Sequence, residues 1–147
     1  MLRILAVLLV LMTGSLPAWA ALGDDVSSVD SDLRVLGGQR HIMAYSRYSL
    51  HQITTTNGSI VKEFVSPAGK VFGVSWQGNS MPNLQQLLGS YMTEVQRAER
   101  TQIVRRRSVL IQTNDLEFYS IGHLRSFQGH AYVPGLIPSD VTPEVVK

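Results

Sequence analysis

The stretch "YSLHQITTTNGSIVKEFVSPAGKVFGVSWQ", Tyr48 to Gln77, alternates apolar and polar residues and is punctuated twice by turn residues. A period of two predicts three antiparallel strands, beginning near Tyr45, and not a helix. Asn57-Gly58 predicts a tight hairpin of type I′, which needs positive φ at both central positions. Ser66-Pro67-Ala68-Gly69 predicts the second turn, with proline presetting φ at its second position. In the third strand Phe72, Val74 and Trp76 are expected on one face, the core face, and Val71, Gly73 and Ser75 on the other.

Downstream the period changes. "PNLQQLLGSYMTEVQRAER" carries Leu84, Leu87, Leu88, Tyr91, Met92 and Val95 at helical spacing, with Asn83 as N-cap and Arg97 and Arg100 toward the far end. Gly89 inside this helix costs about 1 kcal/mol against alanine and suggests close approach to the sheet. "SVLIQTNDLEFYSIGHLRSFQGHAYVP" predicts two or three further strands, with breaks at Thr113-Asn114-Asp115 and near Gly122 and a possible bulge at Gly129. Pro134, Pro138 and Pro143 then interrupt regular structure.

Upstream, Val26, Val29, Leu33 and Leu36 recur at intervals of three, four and three, the stripe of a short helix closed by Gly37-Gly38. Residues 1–20 read as a secretory signal peptide: Arg3 in the n-region, the apolar run Ile4 to Met12, and Ala18-Trp19-Ala20 before the cleavage point. The apolar run is shorter than the roughly 20 residues a membrane span takes. The expected organisation is therefore a cleaved segment 1–20, a short helix and connection over 21–44, a single α+β domain over 45–134, and a proline-rich tail over 135–147. The domain is an antiparallel sheet of about five to six strands with a main helix against one face.

The chain has no cysteine, which excludes disulfides, thiolate metal sites and a cysteine nucleophile. Stability must come from the core, and after cleavage 127 of the 147 residues remain, enough to bury one. Without Arg3, 12 basic residues face 11 acidic ones, a balance that argues against nucleic acid as a partner.

The order of motifs resembles a family. The segments Glu63 to Gly78 with its SPAG turn, Pro82 to Tyr91, and Phe127 to Pro134 are similar to small exported Gram-negative proteins of domain-of-unknown-function family 2844. The resemblance implies a signal-peptide-bearing single domain and brings no activity with it.

Candidate chemistry is sparse. "GVSWQ" places Ser75 two residues after Gly73, but Gln77 stands where a nucleophile elbow has its second glycine, so Ser75 reads as a strand residue. Ser66 fares no better in its proline turn. His51 and Glu63 flank the Asn57-Gly58 turn at six and five residues, a spacing that fits a cross-strand pair. They are either an acid–base dyad or partial metal site, or a polar pair on a solvent-facing strand surface, and the second is favoured. His123 and His130, seven apart, point to opposite faces of an unbroken strand. Asp115 and Glu117 share a face if Asp115 is in strand. Arg105-Arg106-Arg107 suits either an anionic membrane surface or a solvated connection. Trp76, at the strand-to-helix junction, either packs under Leu84 and Leu87 with its N–H on a loop carbonyl or stacks on a ligand.

No catalytic constellation assembles from these residues, and neither a cofactor nor a metal is called for. The expectation is a non-enzymatic periplasmic or secreted module that binds an envelope protein or a small ligand. Weak candidate positions are Trp76, His51, Glu63, Arg105, Arg106 and Arg107. The alternatives are a small periplasmic enzyme using His51 and Glu63, and a peripheral membrane protein using the arginine run.

Overall fold

Both turns of the central meander are built alike. The Thr55 N–H donates to the Ser59 carbonyl at 2.9 Å and the Gly58 N–H to the Thr55 carbonyl at 3.0 Å. At the second turn the Ser66 N–H reaches Lys70 at 2.8 Å and the Gly69 N–H reaches Ser66 at 2.9 Å. Each closes with one left-handed glycine, Gly58 at φ 82° and Gly69 at φ 76°. The expected type I′ turn is therefore replaced by a longer loop with a single left-handed residue. Asn57 contributes through its side chain instead, its Oδ1 accepting from Thr55 Oγ1 at 2.6 Å and from the Ser59 N–H at 3.0 Å.

This computed structural model describes residues 22–101 and 108–147. In order they form α1 (Ser28–Leu36), β1 (Gln39–Ala44), β2 (Ser49–Thr54), β3 (Ile60–Val65), β4 (Val71–Gly78), α2 (Leu84–Leu88), α3 (Tyr91–Thr101), β5 (Ser108–Gln112), β6 (Glu117–His123) and β7 (Ser126–Tyr132). Two 3-10 turns follow at Pro134–Leu136 and Pro143–Val145. The strands make one antiparallel sheet in the order β1-β2-β3-β4-β7-β6-β5. The α+β class holds, with seven strands where five to six were expected. The extra edge strand is β1, in residues read from sequence as connection: only Arg40 and Met43 of it are even half-buried, so it lacks a clean apolar alternation.

Two layers cover the sheet. On one face α1, α2 and α3 pack Val29, Leu87, Leu88 and Val95 against Ile53, Val61, Val74, Trp76 and Phe118. The other face carries Leu50, Phe64, Phe72 and Tyr132, and here the C-terminal segment lies across the sheet and buries Val146 completely. The proline-rich tail is thus a docked layer. Its own Ile137, Val141 and Val145 pack against the same cluster, which explains why prolines there do not leave it loose.

Phe72 overturns one expectation. Phe64 pairs with Gly73 but Val65 pairs with Val71, so Phe72 is the extra residue of a bulge. Val71 and Val74 consequently join the helix-side core while Phe72 joins the tail-side cluster, away from Val74 and Trp76. Alternation alone has no means of marking this skip.

The expected long helix is also divided. Asn83 caps α2 as anticipated, accepting from the Gln86 N–H at 3.2 Å. Gly89, at φ 52°, then stops the helix and lets α3 set off separately. Gly129 is not a bulge, since it pairs regularly with Trp76 and Ser120. It is a close-packing glycine: a Cβ there would lie 2.3 Å from Trp76 Cζ2.

Candidate functional site

The registers define a row that crosses the whole sheet on the tail-side face. His41, Gln52, Lys62, Ser75, His130, Tyr119 and Leu110 are successive cross-strand partners. A second row beside it runs Ile60, Gln77, Gln128, Ile121. On the opposite flank lies the apolar row through Leu50, Phe64, Gly73 and Tyr132, the one the C-terminal segment covers. The tail therefore roofs half of this face and leaves the polar rows open.

Those open rows line a groove of about 480 Å³, within the size range of ligand sites. Its floor is Gln52, Lys62, Ser75, His130 and Tyr119 with Ile60, Gln77 and Gln128 beside them, and Lys147 stands at its rim. The rim is held by Glu117. Lys147 Nζ lies 3.5 Å from Glu117 Oε1 and 3.0 Å from Glu144 Oε1, the Gln112 amide donates to Glu117 Oε2 at 3.0 Å, and the Tyr132 hydroxyl donates to the same carboxylate. Burial works to raise the Glu117 carboxyl, but the bonds from Tyr132 and Gln112 and the Lys147 charge outweigh it and hold it below the usual range. Burial and that same carboxylate push the Tyr132 hydroxyl up to about 12.

His130 lies between the rings of Tyr119 and Tyr132, at centroid distances of 5.5 and 6.3 Å. Its Nε2 is 3.5 Å from Glu117 Oε1, beyond good hydrogen-bond length, and remains an unpaired buried nitrogen. Burial lowers its pKa while the Glu117 carboxylate opposes, with a net fall. Ser75 and His130 are cross-strand neighbours with Glu117 nearby, yet no hydrogen bond joins Ser75 to the ring among the described residues. The three residue types of a triad are near one another without its connected geometry.

The expected pair His51 and Glu63 are indeed direct cross-strand partners. They are not solvent-facing: His51 is 6% and Glu63 1% exposed, beneath α1 on the helix side. There Glu63 is hydrogen-bonded to Asp32 of α1, which also accepts from Gln86 Nε2 of α2 at 2.7 Å. Burial raises both carboxyls, and the bond to Asp32 and its charge raise Glu63 further. Burial, then the Arg40 guanidinium, lower His51, whose Nε2 is 3.3 Å from Ser49 Oγ. Neither residue lines the groove or the smaller depression of about 220 Å³ near the 55–59 turn. The solvent-facing reading failed because Asp32 sits on α1 among polar positions, and sequence gave no sign that this one turns inward.

Trp76 is 3% exposed, tilted against Phe118 at 5.9 Å and laid over Gly129, with its Nε1 buried and unpaired in place of the expected loop carbonyl. Arg105, Arg106 and Arg107 lie outside the described residues, as does the segment 1–20. Asp115 sits in the turn before β6, so it does not share a strand face with Glu117. Sequence reading passed over Lys62, Gln52, Tyr119 and Gln128. Their signal was available only as strand parity, once the register of β7 against β4 was known. No helix among the described residues is long and apolar enough to cross a membrane, and no group of three or more His, Asp or Glu there is arranged to hold a metal.

No curated protein and no solved structure matches the chain. The sequence profile described as "Protein of unknown function (DUF2844)" matches residues 18–146, which spans both layers, the groove and the docked tail. The chain belongs to that family.

Proposed function

We propose that the protein is a non-enzymatic, exported binding module of the cell envelope, periplasmic or secreted, whose ligand site is the open groove on the tail-side face. The observation that carries this reading is the row Gln52, Lys62, Ser75, His130, Tyr119, which the docked tail leaves uncovered beside a fully covered apolar row. Ser75, which among the described residues makes no hydrogen bond to the His130 ring that pairs with Glu117, supports binding over turnover. Export is supported by the sequence of residues 1–20 and by Leu22, whose N–H donates to the Leu87 carbonyl at 3.0 Å and whose side chain is buried, so that the fold extends to within two residues of the expected cleavage point.

The test is native mass spectrometry of the protein released gently at low salt from the envelope fraction of its own host. A reproducible added mass, absent from the Ser75→Arg variant that fills the groove, is the expected result. A bare chain in both, together with turnover of a substrate, would remove the binding reading.

A further inference from the structure

We infer that the groove takes an elongated, polyhydroxylated anion, a uronic-acid-type oligosaccharide, lying across the strands. The inference rests on the groove being the binding site and names what its chemistry selects.

Charge comes first. Two ammonium groups reach the groove, and Lys147 is already matched by Glu117 and Glu144. Lys62 is half-buried in the middle of the floor, and among the described residues it makes no ion pair or hydrogen bond. No carboxylate stands in its row, whose other members are an amide, hydroxyls, imidazoles and, at the far edge, Leu110. An unpaired cation held on a strand, flanked by Gln52 and Ser75, selects a negative group and bonds it more strongly than a neutral one.

The rest of the floor describes the ligand's body. Ligand pockets are usually apolar with few polar groups, but here Ile60 and Trp76 are outnumbered by Gln52, Gln77, Gln128, Ser75 and Tyr119, each able to donate and accept. Such a lining is matched only by a ligand with many hydroxyls, because an apolar one would strand these groups without partners. The half-buried Tyr119 ring, backed by His130, offers a flat surface for the C–H face of a sugar ring. From Gln52 on β2 to Tyr119 on β6 the row crosses five strands, about 19 Å at about 4.8 Å per step, so the ligand is extended and made of linked units.

The experiment titrates the purified protein with tri-D-galacturonate and with neutral tri-D-galactose, by calorimetry at low and physiological salt and by amide chemical-shift mapping. The expected result is binding of the acid with shifts at Gln52, Lys62, Ser75 and Gln128, weakened by salt, and reduced about tenfold or more by Lys62→Gln but not by Arg97→Gln. Tyr119→Leu, which keeps the charge, should weaken both sugars. Equal binding of acid and neutral sugar in the groove, untouched by Lys62→Gln, would overturn the anionic class and leave the groove standing as the site. Shifts confined to another surface would overturn both. Binding of neither sugar would overturn the saccharide inference alone.

Discussion

Asp32 of α1 and Glu63 of β3 are hydrogen-bonded to each other in the core, one carboxyl from the helix layer and one from the sheet. Two carboxyl groups bond this way only by holding a proton between them. Both groups bind that proton more tightly folded than unfolded, from ordinary values of 3.8 and 4.5. Below those values folded and unfolded chains are equally protonated. Above them the unfolded chain releases protons first, so stability falls as pH rises toward the folded-state pKa. His51, His130 and Glu117, all with lowered pKa values, act in the opposite sense, so the decline is read as the difference in urea unfolding between the protein and Glu63→Gln from pH 4 to 8, at no more than about 1.4 kcal/mol per pH unit for each proton. The variant should gain on the parent as pH rises, and a constant difference between the two would mean that the pair does not share a proton.

The docked tail should act as a structural layer. Gly73 faces Val146 so closely that a Cβ would lie 2.7 Å from Val146 Cγ2. Gly73→Ala is expected to destabilise by about 1–3 kcal/mol through overpacking. Val146→Ala is expected to cost about 1.5–2 kcal/mol for its two lost methyl groups and to speed proteolysis of the C-terminal segment. The double variant should cost clearly less than the sum, because the smaller side chain makes the room that the added methyl needs. Strict additivity in chemical denaturation would mean that the two do not touch.

Gly129 is more exacting. A Cβ there meets Trp76 at 2.3 Å and the Tyr119 carbonyl oxygen at 2.4 Å, a rigid ring and a backbone atom. Gly129→Ala should cost more than about 3 kcal/mol and shift Trp76 emission to the red as the indole loses its buried seat. Native-like emission and stability would contradict this packing.

The β6–β7 hairpin turns on Leu124 and Arg125, with φ of 34° and 69°, and Leu124 is 88% exposed. Left-handed backbone costs roughly 1–2 kcal/mol for a residue with a side chain. Replacing the pair by Asn-Gly should therefore raise stability by about 1–2 kcal/mol, read as a higher denaturation midpoint. No gain would indicate that this turn relaxes freely in solution.

The meander was legible because turn residues and alternation agree from Leu50 to Trp76, and the capped helix because Asn83 and the leucines agree. What escaped reading were features with no local signature. The Phe72 bulge is visible only against the partner strand, and β1 is a strand because β2 offers it an edge. The resemblance to the family was legible from motifs and is matched by its profile over residues 18–146. For the candidate site, the pairing of His51 with Glu63 was readable from turn spacing, but its burial depended on Asp32 from a distant helix. The groove was hidden because it is a property of rows across five strands, while a sequence lists residues along one.

The bulge at Phe72 has an evolutionary corollary. Drawing β4 out without the bulge at the same length would exchange inner and outer side chains on one side of Phe72, sending either Val71 or Val74 and Trp76 away from the helices. Chains that share this fold are therefore expected either to keep the Gly69-to-Trp76 spacing or to lose the bulge residue alone, however far their side chains diverge. The spacing, more than any one side chain, keeps Trp76 under the helices and Ser75 on the open side.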